Sequence, residues 1–542
     1  MKRTPILTAE MMRQCDTHTI NTVGVPSQVL MERAARKVVE HLEAHSEQFP
    51  ADGNVLVLCG SGNNGGDGFA VARFLQEGTW GKPRNVAICY GGALNADGSP
   101  DLTRMSAECA RQYAYACAAL IPVFAPHSSA YILSQAAVVV DALFGIGLDR
   151  PVTGTLATLI QAINDRHMPV LAVDIPSGVH GDSGEVMGVA IQATDTVTMQ
   201  AWKAGLLKYP GADACGRISV ADIGVDLSLA ESCGLYVADK ALIDHAMPQR
   251  RRRSHKGTYG RLGLVCGSEG MSGAAVLATK GALRTGSGLL QVFTPECNRT
   301  VLQISVPEAI VTCYDAQNPV SQGLMAELNA CDGLVVGCGL GTSAKAAELL
   351  GSILEACPLR MDFPVVLDAD GLNLLARYPH LWQTRLLSQG QGQVILTPHP
   401  MEMARLTGAS VQNILVDPVA HARALAAERG VTVVLKDAHT VIAAPDGRTY
   451  LCPYGNAGMA KGGSGDVLAG IIGSLAVQHR ADLLASTCMV EVAAAGVTLH
   501  ALAGDHAAEI MGEYALTPTD IIDAIGAVTR GCSDTRCHIQ QV

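Results

Sequence analysis

Short apolar runs rich in β-branched residues recur along the whole chain, each followed by a Gly-rich or acidic turn and then an Ala/Leu-rich stretch. Such continuous runs, about four to six residues long, are typical of strands buried on both faces, as in a parallel sheet covered by helices. They begin at Asn54, Asn85, Ala137, Pro169, Asp195 and Arg217, and again at Arg261, Gly288, Asp332, Phe363, Gly392, Val431 and Thr440. The pattern predicts an α/β protein.

The two series of strands predict two domains. The regular recurrence of strand-like runs is interrupted near residues 225–250, where the segment MPQRRRRSHKG contains Pro, charged residues and Gly. At roughly 150 residues per domain, the chain of 542 residues has room for more than one. We predict a first domain over residues 1–228 and a second over 229–542.

The composition excludes several classes of protein. A hydrophobic fraction of 48% is too high for a disordered chain. The net charge of −11 repels phosphate backbones and disfavours a nucleic-acid partner. The 17 cysteines include no C-x-x-C pair, and the first residues lack the apolar core of a signal peptide. We expect reduced thiols, no membrane partner, a cytoplasmic location and, because small residues favour close helix packing, a homo-oligomer.

In the first half, a Gly-rich turn and two strand-end carboxylates carry the chemistry. The segment VLVLCGSGNNGGDGFAVARFL predicts a strand, a turn and a helix that begins near Asp67, an arrangement suited to a pyrophosphate. Asp141 and Asp174 each end a strand, where a carboxylate is often only a helix cap. Facing the asparagines of the turn, they would also suit a hard cation and sugar hydroxyls. A plain structural turn remains the alternative.

The segments GSGNNGGDG, VVDALFGIGL and VDIPSGVHGDSG resemble the NAD(P)H-hydrate epimerase domain across nearly all of residues 10–225. The resemblance implies a Rossmann-like parallel-sheet fold, hydrated NADH or NADPH as substrate, and a potassium ion. It implies Asp174 and Lys203 as catalytic residues, although Lys203 could equally be a surface side chain. The implied hydrate-binding residues are Asn63, Asn64, Gly65, Gly66, Asp67, Gly145, Ile146, Gly147, Leu148, Asp149, Arg150, Pro151 and Asp174. The implied potassium ligands are Asn64, Asp141 and Ser177.

The second half contains the segment NAGMAKGGSGDVLAGIIGSLA, in which glycines lead into a long apolar helix. The N–H groups of Gly462, Gly463 and Gly465, with the helix start, predict an anion hole for phosphate. Asp466 lies in the first turn, where it can accept a proton from a hydroxyl that attacks a phosphoryl group. The alternative is that Asp466 merely complements the helix dipole.

Further strand ends in this half carry Lys436 with His439, His399 in a T-P-H-P turn, and Asp368 with Asp370. From about Ser254 to Ala527 these motifs resemble the ADP- or ATP-dependent NAD(P)H-hydrate dehydratase domain, which is a ribokinase-like α/β fold. The implied hydrate-binding residues are Ala275, Gly341, His399 and Asp466. The implied residues for the adenine nucleotide are Lys436, Asp437, Ala438, His439, Thr440 and Gly465. Met401, Asp437 and Lys461 depart from the usual family pattern, and Lys461 is expected to add positive charge near the phosphates.

Together the two resemblances imply a bifunctional repair enzyme for hydrated NADH and NADPH. The first domain would epimerise the R and S hydrates, and the second would dehydrate the S hydrate at the expense of ADP or ATP, giving AMP and phosphate from ADP. Magnesium is expected because phosphoryl transfer requires charge to be neutralised between phosphates. Two alternatives stay open: a ribokinase-like kinase of a vitamin precursor fused to a nucleotide-binding module, and a first half that binds without catalysis.

Overall fold

The computed structural model describes residues 3–248, 250, 252–360, 362–389, 393–479 and 489–530. They form two compact units. The first unit is Pro5–Cys233, and the second comprises Arg3, Thr4 and the described residues from Gly234 onward. The cysteines among the described residues are free thiols. No helix in these ranges is long and apolar enough to cross a membrane.

The first unit contains a seven-stranded parallel sheet and a two-stranded parallel sheet of β1 and β8. Its strands are β1 (Ile6–Leu7), β2 (Val55–Cys59), β3 (Val86–Tyr90), β4 (Val123–Phe124), β5 (Val138–Ala142), β6 (Val170–Val173), β7 (Asp195–Met199), β8 (Trp202–Lys203) and β9 (Arg217–Ala221). Its helices are α1 (Ala9–His18), α2 (Ser27–Ala44), α3 (Asn63–Glu77), α4 (Ala107–Ala118), α5 (Ser129–Gln135) and α6 (Gly154–Asp165).

The strand order of the larger sheet is β4-β3-β2-β5-β6-β7-β9. From β2 the chain adds β3 and β4 on one side of the sheet. It then returns and adds β5 on the opposite side of β2. In open α/β sheets, ligands bind at such a switch point, beyond the carboxyl ends of the strands. All residues of β2 and β5 are buried, which confirms that these apolar runs are covered on both faces.

One predicted boundary is wrong. Helix α3 begins at Asn63 and not near Asp67, because Gly62 is extended at φ −89° and ψ −172° and the next residue is already helical. A Cβ on Gly65 would lie 1.9 Å from the Gly60 carbonyl oxygen, so glycine there lets the helix start directly above the end of β2. The two asparagines therefore occupy the first helical turn.

The second unit has a mixed sheet in the order β10-β19-β18-β17-β16-β15-β14-β11-β12-β13 over its described residues. The strands are β10 (Leu235–Val237), β11 (Arg261–Val265), β12 (Leu289–Pro295), β13 (Ile310–Tyr314), β14 (Gly333–Val336), β15 (Val365–Leu367), β16 (Val394–Leu396), β17 (Thr432–Leu435), β18 (Val441–Ala443) and β19 (Thr449–Leu451). Only the β17–β18 and β18–β19 pairs among these are antiparallel.

The helices of the second unit are α7 (Lys240–Ala246), α8 (Ser272–Thr285), α9 (Arg299–Ser305), α10 (Gln322–Asn329), α11 (Ala344–Ala356), α12 (Asp370–Arg377), α13 (Arg385–Gln389), α14 (Pro400–Thr407), α15 (Val411–Val416), α16 (Pro418–Arg429), α17 (Ser464–Gln478), α18 (Met489–Met511) and α19 (Pro518–Thr529). Helix α16 starts and stops on local sequence signals: Asp417 caps its N-terminus by accepting from Ala420 N at 3.1 Å, Pro418 comes next, and Gly430 ends it at φ 65°.

Six strands have no counterpart in the sequence pattern: β1, β4, β8, β10, β13 and β19. Five of them have only two or three residues, too few for a period to be read. Strand β13 is an edge strand whose residues are exposed or half-buried, so it lacks the continuous apolar character of a buried strand. Strand β10 lies inside the segment predicted to separate the domains, and its pairing with β19 joins that segment to the second unit.

Candidate active sites

A cleft of about 1210 Å³ opens at the switch point of the first unit. It brings together most residues of the predicted hydrate site: Asn63, Asn64, Asp67, Gly145, Ile146, Gly147, Leu148, Asp149, Arg150, Pro151, Asp174 and Lys203. Gly65 and Gly66 do not line it, because they are buried in the first turn of α3, where a Cβ would meet the Gly60 carbonyl oxygen and the Met31 side chain. Their absent side chains permit the close approach of α3.

Asp174 and Lys203 form an ion pair at the base of the cleft. Oδ1 of Asp174 accepts hydrogen bonds from Met199 N at 3.0 Å, from Thr198 Oγ1 at 3.2 Å and from Lys203 Nζ. The ammonium of Lys203, 0% exposed, also donates to Thr198 Oγ1 at 2.9 Å and Met199 O at 2.6 Å. Asp174 has a φ of 68°, a strained conformation for a residue other than Gly. This pair holds one carboxylate oxygen firmly and leaves the other oxygen without a hydrogen bond from these groups.

Asp141 and Ser177 are buried and do not line the cleft, and the backbone of Phe144 connects them to Asn64. Ser177 donates to Asp141 through its N–H (2.7 Å) and its hydroxyl (2.6 Å), and Leu143 N donates to the same carboxylate at 3.3 Å. Asn64 Nδ2 donates to Phe144 O at 3.1 Å, and Phe144 N donates to Ser177 Oγ at 2.9 Å. Burial raises the pKa of Asp141 to about 6, although these hydrogen bonds oppose the rise.

Two further carboxyl groups, Asp16 and Asp67, line the same cleft. Burial raises the pKa of Asp67 well above its usual range, and the charge of Asp174 adds to the rise. The sequence analysis missed Asp16, which lies on α1 in a segment with no motif. One signal was available in the sequence. Asp16 is four residues from both Met12 and Ile20, a spacing that puts side chains on one face of a helix, and all three residues line the cleft.

In the second unit, a buried ion pair lies against the start of α17. Lys436 Nζ donates to Asp368 Oδ1 at 2.7 Å, and Thr397 Oγ1 donates to the same oxygen at 2.6 Å. A Cβ built on Gly465 would lie 3.4 Å from Lys436 Nζ, so this ammonium stands beside the N–H groups of the first helical turn. Two sources of positive potential therefore meet here, which suits a phosphate.

Asp466 is the third residue of α17 and is half-buried at the same place. Burial raises the pKa of its carboxyl to about 6, and the nearby charge of Asp368 adds to the rise, whereas Cys338 and Lys436 oppose it. A general base works best when its pKa lies near the operating pH. The preceding Gly463 has a φ of 98°, which turns the chain into the helix.

His399 and Glu402 occupy the start of α14, near the ion pair. Nδ1 of His399 accepts from Met401 N at 3.1 Å, and Glu402 Oε2 accepts from His399 N at 2.9 Å, so the two side chains cap the helix reciprocally. Burial raises the pKa of Glu402 to about 7 despite Lys436, whose Nζ lies 3.9 Å from Oε2. The sequence analysis missed Glu402, although an acid three residues after a cap is a known signal.

The remaining predicted residues surround this centre to different degrees. Gly341 N donates to Asp370 Oδ2 at 2.8 Å. Ala275 is buried in α8, where its Cβ lies 3.2 Å from the position that a Cβ on Gly267 would take. The turn after Lys436 contains Asp437, Ala438, His439 and Thr440. The ammonium of Lys461 donates to the carbonyl oxygens of Tyr514 and Leu516, so backbone acceptors already hold the charge that was expected to serve the phosphates.

Two groups of described residues have metal-ligating atoms within 4.8 Å of one another. In the first, formed by His41, His45 and Asp195, the carboxylate already binds the Arg217 guanidinium at 2.9 and 3.0 Å, which offsets its charge. The second is formed by Cys338, Asp368 and Asp466 and belongs to the centre just described.

The chain matches two known protein families in sequence. The family described as NAD(P)H-hydrate dehydratase matches residues 262–527, and the family described as YjeF-related protein N-terminus matches residues 27–205. A bifunctional NAD(P)H-hydrate repair enzyme of Moorella thermoacetica is 36% identical over 538 residues, which cover 98% of this chain and 97% of that protein. The Escherichia coli enzyme of the same name is 32% identical, covering 95% of this chain and 92% of its own length.

Among solved structures, an ADP/ATP-dependent NAD(P)H-hydrate dehydratase from Bacillus subtilis, co-crystallised with ATP and Mg²⁺, is 30% identical. It covers 55% of this chain and 98% of its own, with a TM-score of 0.47.

Proposed function

The chain belongs to the bifunctional NAD(P)H-hydrate repair enzymes, and we propose that its two units divide the two reactions between them. It is an NAD(P)H-hydrate epimerase and an ADP/ATP-dependent NAD(P)H-hydrate dehydratase, with a Rossmann-like and a ribokinase-like α/β region. Epimerisation belongs to the first unit and dehydration of the S hydrate to the second. A dehydratase that accepts one epimer leaves the other unrepaired, and the linked epimerase returns it.

The observation that carries the dehydratase assignment is the meeting of Asp466, Lys436 and the start of α17. Asp466 accepts the proton of the ring hydroxyl, and the terminal phosphoryl group of ADP or ATP is transferred to the oxygen. Phosphate then leaves as the ring double bond reforms, giving AMP when ADP is the donor. The N–H groups of Gly462, Gly463 and Gly465, with the Lys436 ammonium, stabilise charge on the transferred group.

The binding residues are assigned by their places around this centre. The hydrate lies against Ala275, Gly341, His399 and Asp466. The adenine nucleotide lies against Lys436, Asp437, Ala438, His439, Thr440 and Gly465. Magnesium fits here because Asp370, whose charge reaches Asp466, offers carboxylate oxygens, the ligands that Mg²⁺ prefers. When bound, magnesium would neutralise charge between the nucleotide phosphates.

In the first unit, Asp174 contacts the hydrate as a catalytic residue, and Lys203 positions Asp174 through their ion pair. Around them, the hydrate is held by Asn63, Asn64, Asp67, Gly145, Ile146, Gly147, Leu148, Asp149, Arg150 and Pro151, while the buried Gly65 and Gly66 allow the close approach of α3, which carries the two asparagines. The support is the cleft itself, which gathers most of these residues at one switch point.

Potassium would be held by Asn64, Asp141 and Ser177. These residues fit the ion because their donors are oxygens, which a hard cation prefers. The buried Asp141 accepts hydrogen bonds but has no Lys or Arg among the groups that shift its pKa, so a cation would supply the missing charge. When bound, potassium would neutralise the buried charge of the Asp141 carboxylate.

We also propose a cytoplasmic homo-oligomer without nucleic-acid or membrane partners. Free thiols among the described cysteines fit a reducing compartment, and the net charge of −11 disfavours nucleic acid. Light scattering after size-exclusion chromatography tests the oligomeric state: a monomer would contradict it.

One incubation tests both activities. Hydrated NADH containing both epimers is mixed with the full chain, magnesium and ADP or ATP, and nicotinamide absorbance is followed. We expect recovery from both epimers together with inorganic phosphate. A stable phosphorylated product would support the kinase alternative instead, and recovery from one epimer alone would contradict the epimerase assignment.

A further inference from the structure

Inversion of the hydrated carbon requires proton transfer at two stages. Hydration of an enamine places the hydroxyl on the carbon bonded to the ring nitrogen. The nitrogen lone pair can then expel that hydroxyl as water, leaving a planar iminium carbon, and water re-adds from the other face. One C–O bond breaks and another forms. One group must therefore protonate the departing oxygen, and another must take a proton from the entering water.

Asp174 supplies one of these groups but Lys203 cannot supply the other. The ammonium of Lys203 is 0% exposed, and it donates to Asp174, to Thr198 Oγ1 and to Met199 O. An ammonium has three N–H donors, so none remains for the hydrate. Lys203 is thus a positioning residue that holds the Asp174 carboxylate in place.

A second carboxyl group comes from another wall of the cleft. Strand β1 pairs with β8, opposing Leu7 to Lys203, and α1 comes almost immediately after β1. The start of α1 is tied down where Ala9 N donates to Asp182 Oδ1 at 2.6 Å. This pairing carries the helix to the edge of the cleft, where Asp16 lines it. We propose that Asp16 is the second acid–base residue of the epimerase.

Three features suit Asp16 to this task. No described residue contributes a hydrogen bond to its carboxyl group, so its oxygens are available to a ligand. Lys203 and Asp174 act on it electrostatically, and the charge of Asp16 in turn acts on Asp67, which places Asp16 beside the reacting pair. Burial raises the pKa of Asp16 to about 6, with Asp174 adding to the rise and Lys203 opposing it, so part of the population carries a proton near neutral pH.

Asp67 differs from Asp16 in its place and expected role. It lies in the second turn of α3, directly after the residues that hold the dinucleotide, and its pKa lies well above the usual range. We expect Asp67 to contribute to hydrate binding. Substituting Asp67 should therefore raise KM, whereas substituting Asp16 should lower kcat.

The test is Asp16→Asn in the full chain, with purified S or R hydrate and no adenine nucleotide, and the epimers separated by chromatography. We expect kcat for epimerisation to fall by about 10²–10⁴-fold, with KM and the dehydration rate of the S hydrate unchanged. Asp16→Glu keeps the carboxyl group, so its kcat for epimerisation should be at least tenfold higher than that of Asp16→Asn. Gln14→Ala, an exposed change on the same helix, should match the parent.

The outcomes separate this inference from the epimerase function on which it rests. If the parent chain interconverts neither epimer, the epimerase function itself fails. If the parent is active and Asp16→Asn epimerises within twofold of it, Asp16 is not an acid–base residue. Equal activities of the Asn and Glu variants would overturn the inference too, as would a raised KM with unchanged kcat. Melting temperatures identify any variant that is merely unfolded, and the Asp16→Glu comparison then decides.

Discussion

Both units place an Asp–Lys ion pair at the carboxyl ends of parallel strands, but the two pairs face different surroundings. In the first unit, Lys203 is 0% exposed and its donors go to Asp174 and two other groups of the protein. In the second, Lys436 pairs with Asp368 and stands beside Gly465 at the start of a helix. The same pair therefore holds a carboxylate in one unit and adds to the positive potential of a helix N-terminus in the other.

The difference lies in the surface that each pair faces beyond the strand end. The Asp174–Lys203 pair faces an open cleft with further carboxyl groups, which favours proton exchange beside the pair. The Asp368–Lys436 pair faces a helix N-terminus, which attracts phosphate. Both sites store strain at a strand end, with φ of 68° at Asp174 and 49° at Ala369. An ion pair at a strand end does not by itself identify a reaction.

The largest expected effect comes from Asp466→Asn, which keeps the shape of the side chain and removes its basicity. Dehydration should fall by about 10²–10⁴-fold, or about 3–5 kcal/mol of barrier, because a positioned general base is lost. Adenine-nucleotide binding and epimerisation should persist. The measurements are dehydration rate, nucleotide affinity and melting temperature. Near-parent turnover with a lowered melting temperature would mean that Asp466 only complements the helix dipole.

Potassium should matter to the first unit alone. Asn64→Ala and Asp141→Ala each remove an oxygen ligand, so we expect epimerisation to weaken by about 10–100-fold and to lose its dependence on potassium. Dehydration of the S hydrate serves as the internal control and should be unchanged. Titrating potassium chloride against sodium chloride at constant ionic strength measures the effect. Parent-like potassium dependence in both variants would refute the cation site.

The pH dependence of dehydration gives a smaller effect. A general base must be deprotonated, and the pKa of Asp466 is raised to about 6 by burial. The rate on pure S hydrate should therefore fall as pH falls through about 6, by about tenfold between pH 7 and pH 5. Asp466→Asn should lose this limb of the profile. A parent rate that stays constant down to pH 5 would exclude Asp466 as the base.

The smallest effect is expected where an Asp at a helix start has no site around it. Asp417 caps α16 through a hydrogen bond to Ala420 N at 3.1 Å. Asp417→Ala should lower the free energy of unfolding by about 1 kcal/mol and leave both activities at the parent level. Chemical denaturation and the two rate assays measure this. Loss of either activity in Asp417→Ala would contradict the expectation that Asp417, unlike Asp466, acts only as a helix cap.

Much of the fold could be predicted because its signals are local. Buried parallel strands appear as continuous apolar runs, and α16 carries its cap, its Pro and its terminal Gly in adjacent positions. The edge strand β13 was missed because partial exposure removes the apolar signal. Helix α3 was placed too late because glycines usually indicate a turn, whereas packing against Gly60 requires Gly65 inside the helix.

By itself, the sequence determined the α/β class, the family and most of the residues around both centres, because these depend on periodicity and on motifs of adjacent residues. Only the tertiary structure decided the surroundings of Asp16, Lys203 and Glu402. Asp16 reaches the cleft because β1 pairs with β8, a strand far away along the chain, and Lys203 loses its free donors only once it is buried. Long-range pairing and burial set the charge and availability of a side chain, and neither is encoded in its neighbours along the chain.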